Sequence, residues 1–349
     1  MARRIRIEFP GAFYHVMARG NRREDIFHDD DDRRFFLKAV SEACGMTAWR
    51  IHAWVLMSNH YHICLETPEA NLSAGMGWLQ NAYTRRFNTR HRLWGRLFGD
   101  RYKAVLIEGG NGYYYQTLLD YIHLNPVRAG LIRPRCGQGV LDYPWSSAAG
   151  GHALPPGQRP QWLATESVLL AFGFPDSEDG RRKWIERLDR RASEEEPARC
   201  GTVPVPEGMD ARCSHLQKGW YWGSQEFAER MRKLADTTRM GAPSRSSRGK
   251  GEGRAHDLAR AEKLLQQGLE AAGLDSDGIR ALPGSDGRKV AIARVIWEQT
   301  AVPQTWLAER LGMGSASNVS QQLRRSSDRQ TATLPESLLG WLASVSVNG

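Results

Sequence analysis

His60 and His62 stand one residue apart in "MSNHYHICLETP", a stretch that otherwise has the composition of a β-strand. In a strand, residues i and i+2 face the same way, so the two imidazoles project together while Tyr61 and Ile63 point to the opposite side, toward a core. Two imidazoles so placed can hold one divalent cation. By itself, H-x-H is also the pattern of strand histidines satisfied by hydrogen bonds.

A second group lies in "YYYQTLLDYIHLNPVRAGL", where Tyr121 and Asn125 are four residues apart and share a helix face. Tyr121 offers a nucleophilic oxygen and Asn125 an oxygen ligand. A phenol of pKa about 10 attacks poorly at neutral pH unless its electrophile is polarised, and a metal on a phosphate would polarise it. The same text also suits a plainer role: Tyr113, Tyr114, Tyr115 and Tyr121 as core aromatics and Asn125 as a cap before Pro126.

The elements that must position these residues follow from hydrophobic period. "GAFYHVMARG" reads as a first strand, and "DDDDRRFFLKAVSEACG" as a helix whose aspartates suit its N-terminus. "RIHAWVLMSNHYHICLET" reads as one strand, "LSAGMGWLQNAYTRRFNTRH" as a helix, "YKAVLIEG" as a strand, and "GYYYQTLLDYIHLN" as a helix stopped by Pro126. Short strands alternating with helices predict an α+β fold, a ferredoxin-like antiparallel sheet with helices on one face.

Beyond about Tyr143 strand signals fade and helical spacing dominates. The expected division is a first domain over residues 1–135, a helical accessory region over 136–240, a flexible basic linker over 241–255, and a helical DNA-binding domain over 256–349. The linker reading rests on "GAPSRSSRGKGEGRA", which has almost nothing to bury. In the last unit, "TWLAERLGMGSASNVSQQLRRS" has the spacing of a helix-turn-helix, whose last helix would offer Ser317, Asn318, Gln321 and Arg324 to base edges. An ordinary three-helix bundle has the same apolar spacing.

Charge favours a polyanionic partner: 48 Lys and Arg against 39 Asp and Glu give a net charge of +9 over 349 residues. Residues 85–103, "RRFNTRHRLWGRLFGDRYK", hold seven basic residues (Arg85, Arg86, Arg90, Arg92, Arg96, Arg101, Lys103) against Asp100 alone. Phe87, Trp94, Phe98 and Tyr102 are interleaved, which suits single-stranded or hairpin DNA. "ARGNRR" adds Arg19, Arg22 and Arg23 as phosphate contacts. Five scattered cysteines without a C-x-x-C pair argue against a disulfide framework or zinc ribbon, and no stretch has the apolar length of a membrane span. A cytoplasmic, nucleoid-associated protein is expected.

Together, "AWVLMSNHYHICLETP", "GRLFGDRYKAVLIE" and "LLDYIHLNPVRAGL", followed by "DYPWSSAAG", resemble the REP-associated tyrosine transposases, relatives of the single-tyrosine HUH transposases. The resemblance spans about Ile5 to Gly150. It implies an HUH nuclease domain of ferredoxin-like fold in which His60 and His62 match the histidine pair and Tyr121 the nucleophile. Asn125 stands where insertion-sequence relatives carry a glutamine ligand. It further implies Mg²⁺ or Mn²⁺ as cofactor, a covalent 5′-phosphotyrosine intermediate, and REP-like palindromes folded as hairpins as substrate. The helical second half extends beyond the family pattern. A metal-dependent amidohydrolase also uses H-x-H, but the later histidines sit mostly in helical or loop text rather than at the strand ends such a barrel requires. The serious rival is a DNA-binding regulator that recognises structured DNA without cutting it.

Overall fold

Asp29 opens the first helix by accepting a hydrogen bond from Asp32 N at 3.0 Å, and Asp30, Asp31 and Asp32 place negative charge against the N-terminal end of the helix dipole. The computed structural model describes residues 7–109, 112–195, 220–241, 246–300, 302–325 and 334–347. In chain order these hold β1 (Ala12–Arg19), α1 (Asp30–Thr47), β2 (Arg50–Leu56), β3 (His60–Thr67), α2 (Leu72–His91), β4 (Lys103–Ile107), α3 (Tyr113–His123) and the short α4 (Asn125–Arg128). There follow α5 (Thr165–Ala171), α6 (Glu178–Glu195), β5 (Tyr221–Trp222), α7 (Gln225–Gly241), α8 (Ser246–Ala272), α9 (Ser276–Ala281), α10 (Gly287–Gln299), α11 (Gln304–Arg310), α12 (Ala316–Arg325) and α13 (Glu336–Val347).

The sheet order is β2-β3-β1-β4-β5. Its first four strands are antiparallel neighbours, and the two-residue β5 adds in parallel beside β4. The text read as a single strand from Arg50 to Thr67 is two strands of a hairpin, turning at Met57–Asn59 with Met57 N donating to His60 O. Serine and asparagine favour such a turn because their side chains bond locally to the backbone. That hairpin completes the ferredoxin-like strand order.

Two compact units divide the chain. The first contains the described residues to Arg34, Ser41–Leu72 and those from Phe98 to Gly241; the second contains Phe35–Val40, Ser73–Leu97 and those from Ser246 onward. They are not the linear segments expected from composition. In the first unit α3 packs on β2 and β3, and Met17, Val55, Cys64 and Val105 of the sheet share a core with Leu118 and Ile122 of α3 and Trp184 and Leu188 of α6. The expected accessory region is thus part of the sheet's own core. Alternate strand residues such as Val16, Ile63, Leu65 and Leu106 are buried as well.

In the second unit α8 runs through Ser246–Ala255 of the stretch expected as a flexible linker, and residues 242–245 lie outside the described residues. A helix nucleated by packed residues such as Ala261, Leu264 and Leu265 extends through polar neighbours, because each added residue gains a backbone bond. Lys289 ties this unit together. Its side chain is fully buried, and Nζ donates to Leu282 O at 2.7 Å, Gly312 O at 3.0 Å and Arg280 O at 3.3 Å. Lys289→Met would leave those carbonyls without their donor, and should lower stability by about 2–4 kcal/mol. Hydrogen exchange should show α9 and the turn after α11 losing protection first; unchanged protection there would refute the role.

Candidate functional site

Register builds the site. Pairing of β1 with β3 sets Arg19 opposite His60, Met17 opposite His62 and His15 opposite Cys64, so the two predicted histidines share one sheet face with His15. The reading of their neighbours holds: Tyr61 and Ile63 are buried on the other side. Helix α3 lies over the histidine face and delivers Tyr121, whose ring centroid is 5.5 Å from that of His62 and 5.7 Å from that of His15, edge-on to both. The His60 and His62 rings are 5.1 Å apart. Asn125, at the start of α4, hydrogen-bonds His60 with its side chain. All four predicted residues therefore converge, and each is more than nine-tenths buried.

Neighbours fix the imidazoles. Asn59 Oδ1 lies 2.7 Å from His60 Nδ1; an amide oxygen only accepts, so Nδ1 carries the proton and Nε2 keeps its lone pair. His15 Nε2 lies 2.9 Å from His62 Nδ1 and orients the second ring from behind. Burial, aided by the Arg19 guanidinium, pushes His60 down to about 3, and burial with His15, His60, Arg19 and Arg128 nearby holds His62 well below its ordinary value. Both rings stay neutral at physiological pH. Two neutral imidazoles beside a side-chain amide form a donor set that fits a divalent ion with mixed nitrogen and oxygen ligands.

The nucleophile candidate is clamped by α6. Asp120, next to Tyr121, takes both guanidinium nitrogens of Arg187, at 2.8 and 2.7 Å. Arg128 donates to Tyr121 O at 3.2 Å, lies 5.0 Å over the Tyr121 ring, and is itself held by Glu195 through Nε at 2.8 Å. Sequence inspection missed His15, Asp120 and Arg128. His15 alone left a trace, as an alternate residue of a strand, but only strand pairing says which face it joins.

The predicted basic residues separate into two groups. Arg22 and Arg23 are exposed after β1 with left-handed φ of 54° and 66°, in a loop tied to the turn before β3 by Gly20 N donating to Asn59 O. Arg101 and Lys103 are exposed, and Lys103 falls in the same cross-strand row as Met17 and His62. Arg19, Arg22, Arg23, Arg101 and Lys103 all belong to the first unit.

The remainder belong to the second unit, where Arg85 and Arg86 are corrected as phosphate contacts. Arg85 donates to Val302 O and lies 4.1 Å over Trp297, while Arg86 Nε donates to Glu298 O, so both guanidinium groups are consumed in packing α2 against the C-terminal helices. Burial pushes Arg85 down to about 10. Asn318 is also engaged: Nδ2 donates to Met313 O, and Oδ1 accepts from Gln322. Arg90, Arg92, Arg96, Ser317, Gln321 and Arg324 are exposed. Of the four interleaved aromatics, Phe87, Phe98 and Tyr102 are buried and Trp94 alone is exposed.

No curated protein matches this chain. Among solved structures it is similar to a REP-associated tyrosine transposase bound to a REP hairpin, at 21% identity over 46% of this chain and 89% of that one, with a TM-score of 0.36. The family model for IS200-like transposases matches residues 9–125. That matched segment, about a third of the chain, contains His60, His62, Tyr121 and Asn125.

Proposed function

We propose that the chain is a metal-dependent single-strand DNA endonuclease and strand transferase, acting on hairpin-forming repeats through a covalent 5′-phosphotyrosine. The observation that carries this reading is the convergence of Tyr121 on the histidine pair, with its ring 5.5 Å from His62. His60, His62 and Asn125 would hold Mg²⁺ or Mn²⁺, which when bound draws charge from the scissile phosphate. Arg19, Arg22, Arg23, Arg101 and Lys103 would follow the strand's phosphates around that point. Tyr121 attacks phosphorus through its phenolic oxygen and gives up its proton; the P–O3′ bond breaks, and the departing oxygen takes up a proton as a free 3′-hydroxyl. The new phosphodiester to tyrosine retains the energy of the old one, so a second 3′-hydroxyl can reverse the step and join strands without ATP. The hairpin substrate rests on the sequence resemblance to REP-associated tyrosine transposases.

The test is a labelled hairpin strand incubated with the full chain and Mn²⁺. An SDS-resistant adduct is expected; a gel shift that never yields an adduct would assign the protein to the non-cleaving regulators. Arg128→Met should slow adduct formation by about 10- to 100-fold with DNA affinity kept, because the Tyr121 ring and carbonyl lose their clamp. An equal loss of binding and rate would instead make Arg128 a DNA contact.

A further inference from the structure

The second unit carries a surface that the proposed strand chemistry does not use. Helix α2 is bonded into this unit along its length: Trp78 Nε1 donates to Asp257 at 2.6 Å, Arg85 to Val302 O at 2.9 Å and Arg86 to Glu298 O at 2.8 Å. These bonds hold the last turn of α2 in a set place. From there the chain makes a pinned turn, with Asn88 Nδ2 donating to Gly95 O, Leu93 N to Asn88 O, and Arg92 and Gly95 at φ of 55° and 94°. The turn presents Arg92, Arg96 and Trp94, which is 65% exposed.

Helix α12 meets this turn. The Arg324 guanidinium lies 5.1 Å over the Trp94 ring. Ser317, Gln321 and Arg324, spaced by four and three residues, form one exposed stripe, while Val319 is fully buried on the opposite side. Neither residues 85–99 nor residues 311–325 contain an aspartate or glutamate. Arg90, Arg92, Arg96, Arg324 and Arg325 thus stand exposed with no carboxylate in their own segments.

We infer that α12 and the turn from Arg92 to Arg96 form one binding surface for duplex DNA, separate from the site at Tyr121. A polar stripe on a helix reads base edges only in a groove that admits a helix, which the major groove of B-form DNA does at about 12 Å width. Ser317 and Gln321 face the base edges, Arg92 and Arg96 lie on flanking phosphates, and Trp94 holds the Arg324 side chain in line with the stripe. A single strand is the poorer ligand, since one exposed aromatic is no stacking platform. The two parts are distant in sequence.

The test uses the full-length protein and a mixed-sequence blunt duplex, read by fluorescence anisotropy against a single strand of equal length. Trp94→Ala and Arg324→Gln should each weaken duplex binding by about tenfold. The double variant R92Q/R96Q should weaken it on all sequences and reduce the salt slope by about two. Gln321→Ala should change the base preference recovered from a random duplex pool. Each variant is checked as folded by its melting curve. Unchanged duplex affinity in Trp94→Ala and Arg324→Gln, or a single strand bound as tightly as the duplex, overturns the proposal. Absence of any adduct in the parent would strike the strand-transfer reading alone, because duplex binding and its loss are read without cleavage.

Discussion

Tyr121→Phe should form no SDS-resistant adduct, a loss of at least about 10³-fold, while still shifting the hairpin strand. The substitution removes one oxygen and little else. Phenylalanine keeps the ring that lies edge-on to His15 and His62 and beneath Arg128, so the pocket stays filled and the histidine pair keeps its geometry. Other tyrosines are poor substitutes: Tyr115 bonds His52 Nδ1 at 2.7 Å in the core, and burial raises its hydroxyl well above the ordinary phenol value. Peptide mapping of the parent adduct should find Tyr121. An adduct that survives in Tyr121→Phe, or maps elsewhere, would remove the proposed nucleophile and leave the histidines with another purpose.

Acid should unfold the first unit at a pH where most proteins of this size are stable. Among its buried histidines, His60 is pushed to about 3, His123 to about 4, and His62 and His152 well below the ordinary value, in every case by burial first. All four values are depressed in the folded state, so the unfolded chain binds protons that the folded one refuses. Their contribution is fully present above about pH 6.5 and is lost as pH falls from there toward 3 to 4. Each adds a slope of up to about 1.4 kcal/mol per pH unit, so the four together approach the whole stability of a domain near pH 5. Melting curves from pH 7.5 to 4.5 should fall steeply below pH 6. A flat melting temperature down to pH 5 would show that these imidazoles are solvated. Mn²⁺ bound by the neutral His60 and His62 should hold the transition at a lower pH.

What could be read without a fold was whatever depends on local period. Two histidines one residue apart in a strand must share a face, and a tyrosine four residues before an asparagine must lie near it, because backbone geometry alone dictates both. The acid run that opens α1 was legible from local charge, because carboxylates suit the positive end of a helix dipole. The hairpin at Ser58 and Asn59 was hidden because aliphatic and aromatic residues continue on both sides of it, and period-2 text does not show where a strand reverses.

Tertiary packing decided the rest. Arg85 and Arg86 looked like phosphate contacts because charge in a sequence carries no direction; the carbonyls of Val302 and Glu298, more than two hundred residues away, claim them. The same holds for Arg128, which the distant Glu195 turns over Tyr121. His15 joins the pair only because β1 lies beside β3 in one register, and a slip of one residue would have sent it to the other face. The sequence by itself determined which residue types could do the chemistry and which neighbours they keep along the chain. Only the folded chain decided which long side chains reach the site and which are spent elsewhere, since those choices depend on partners that no local period encodes.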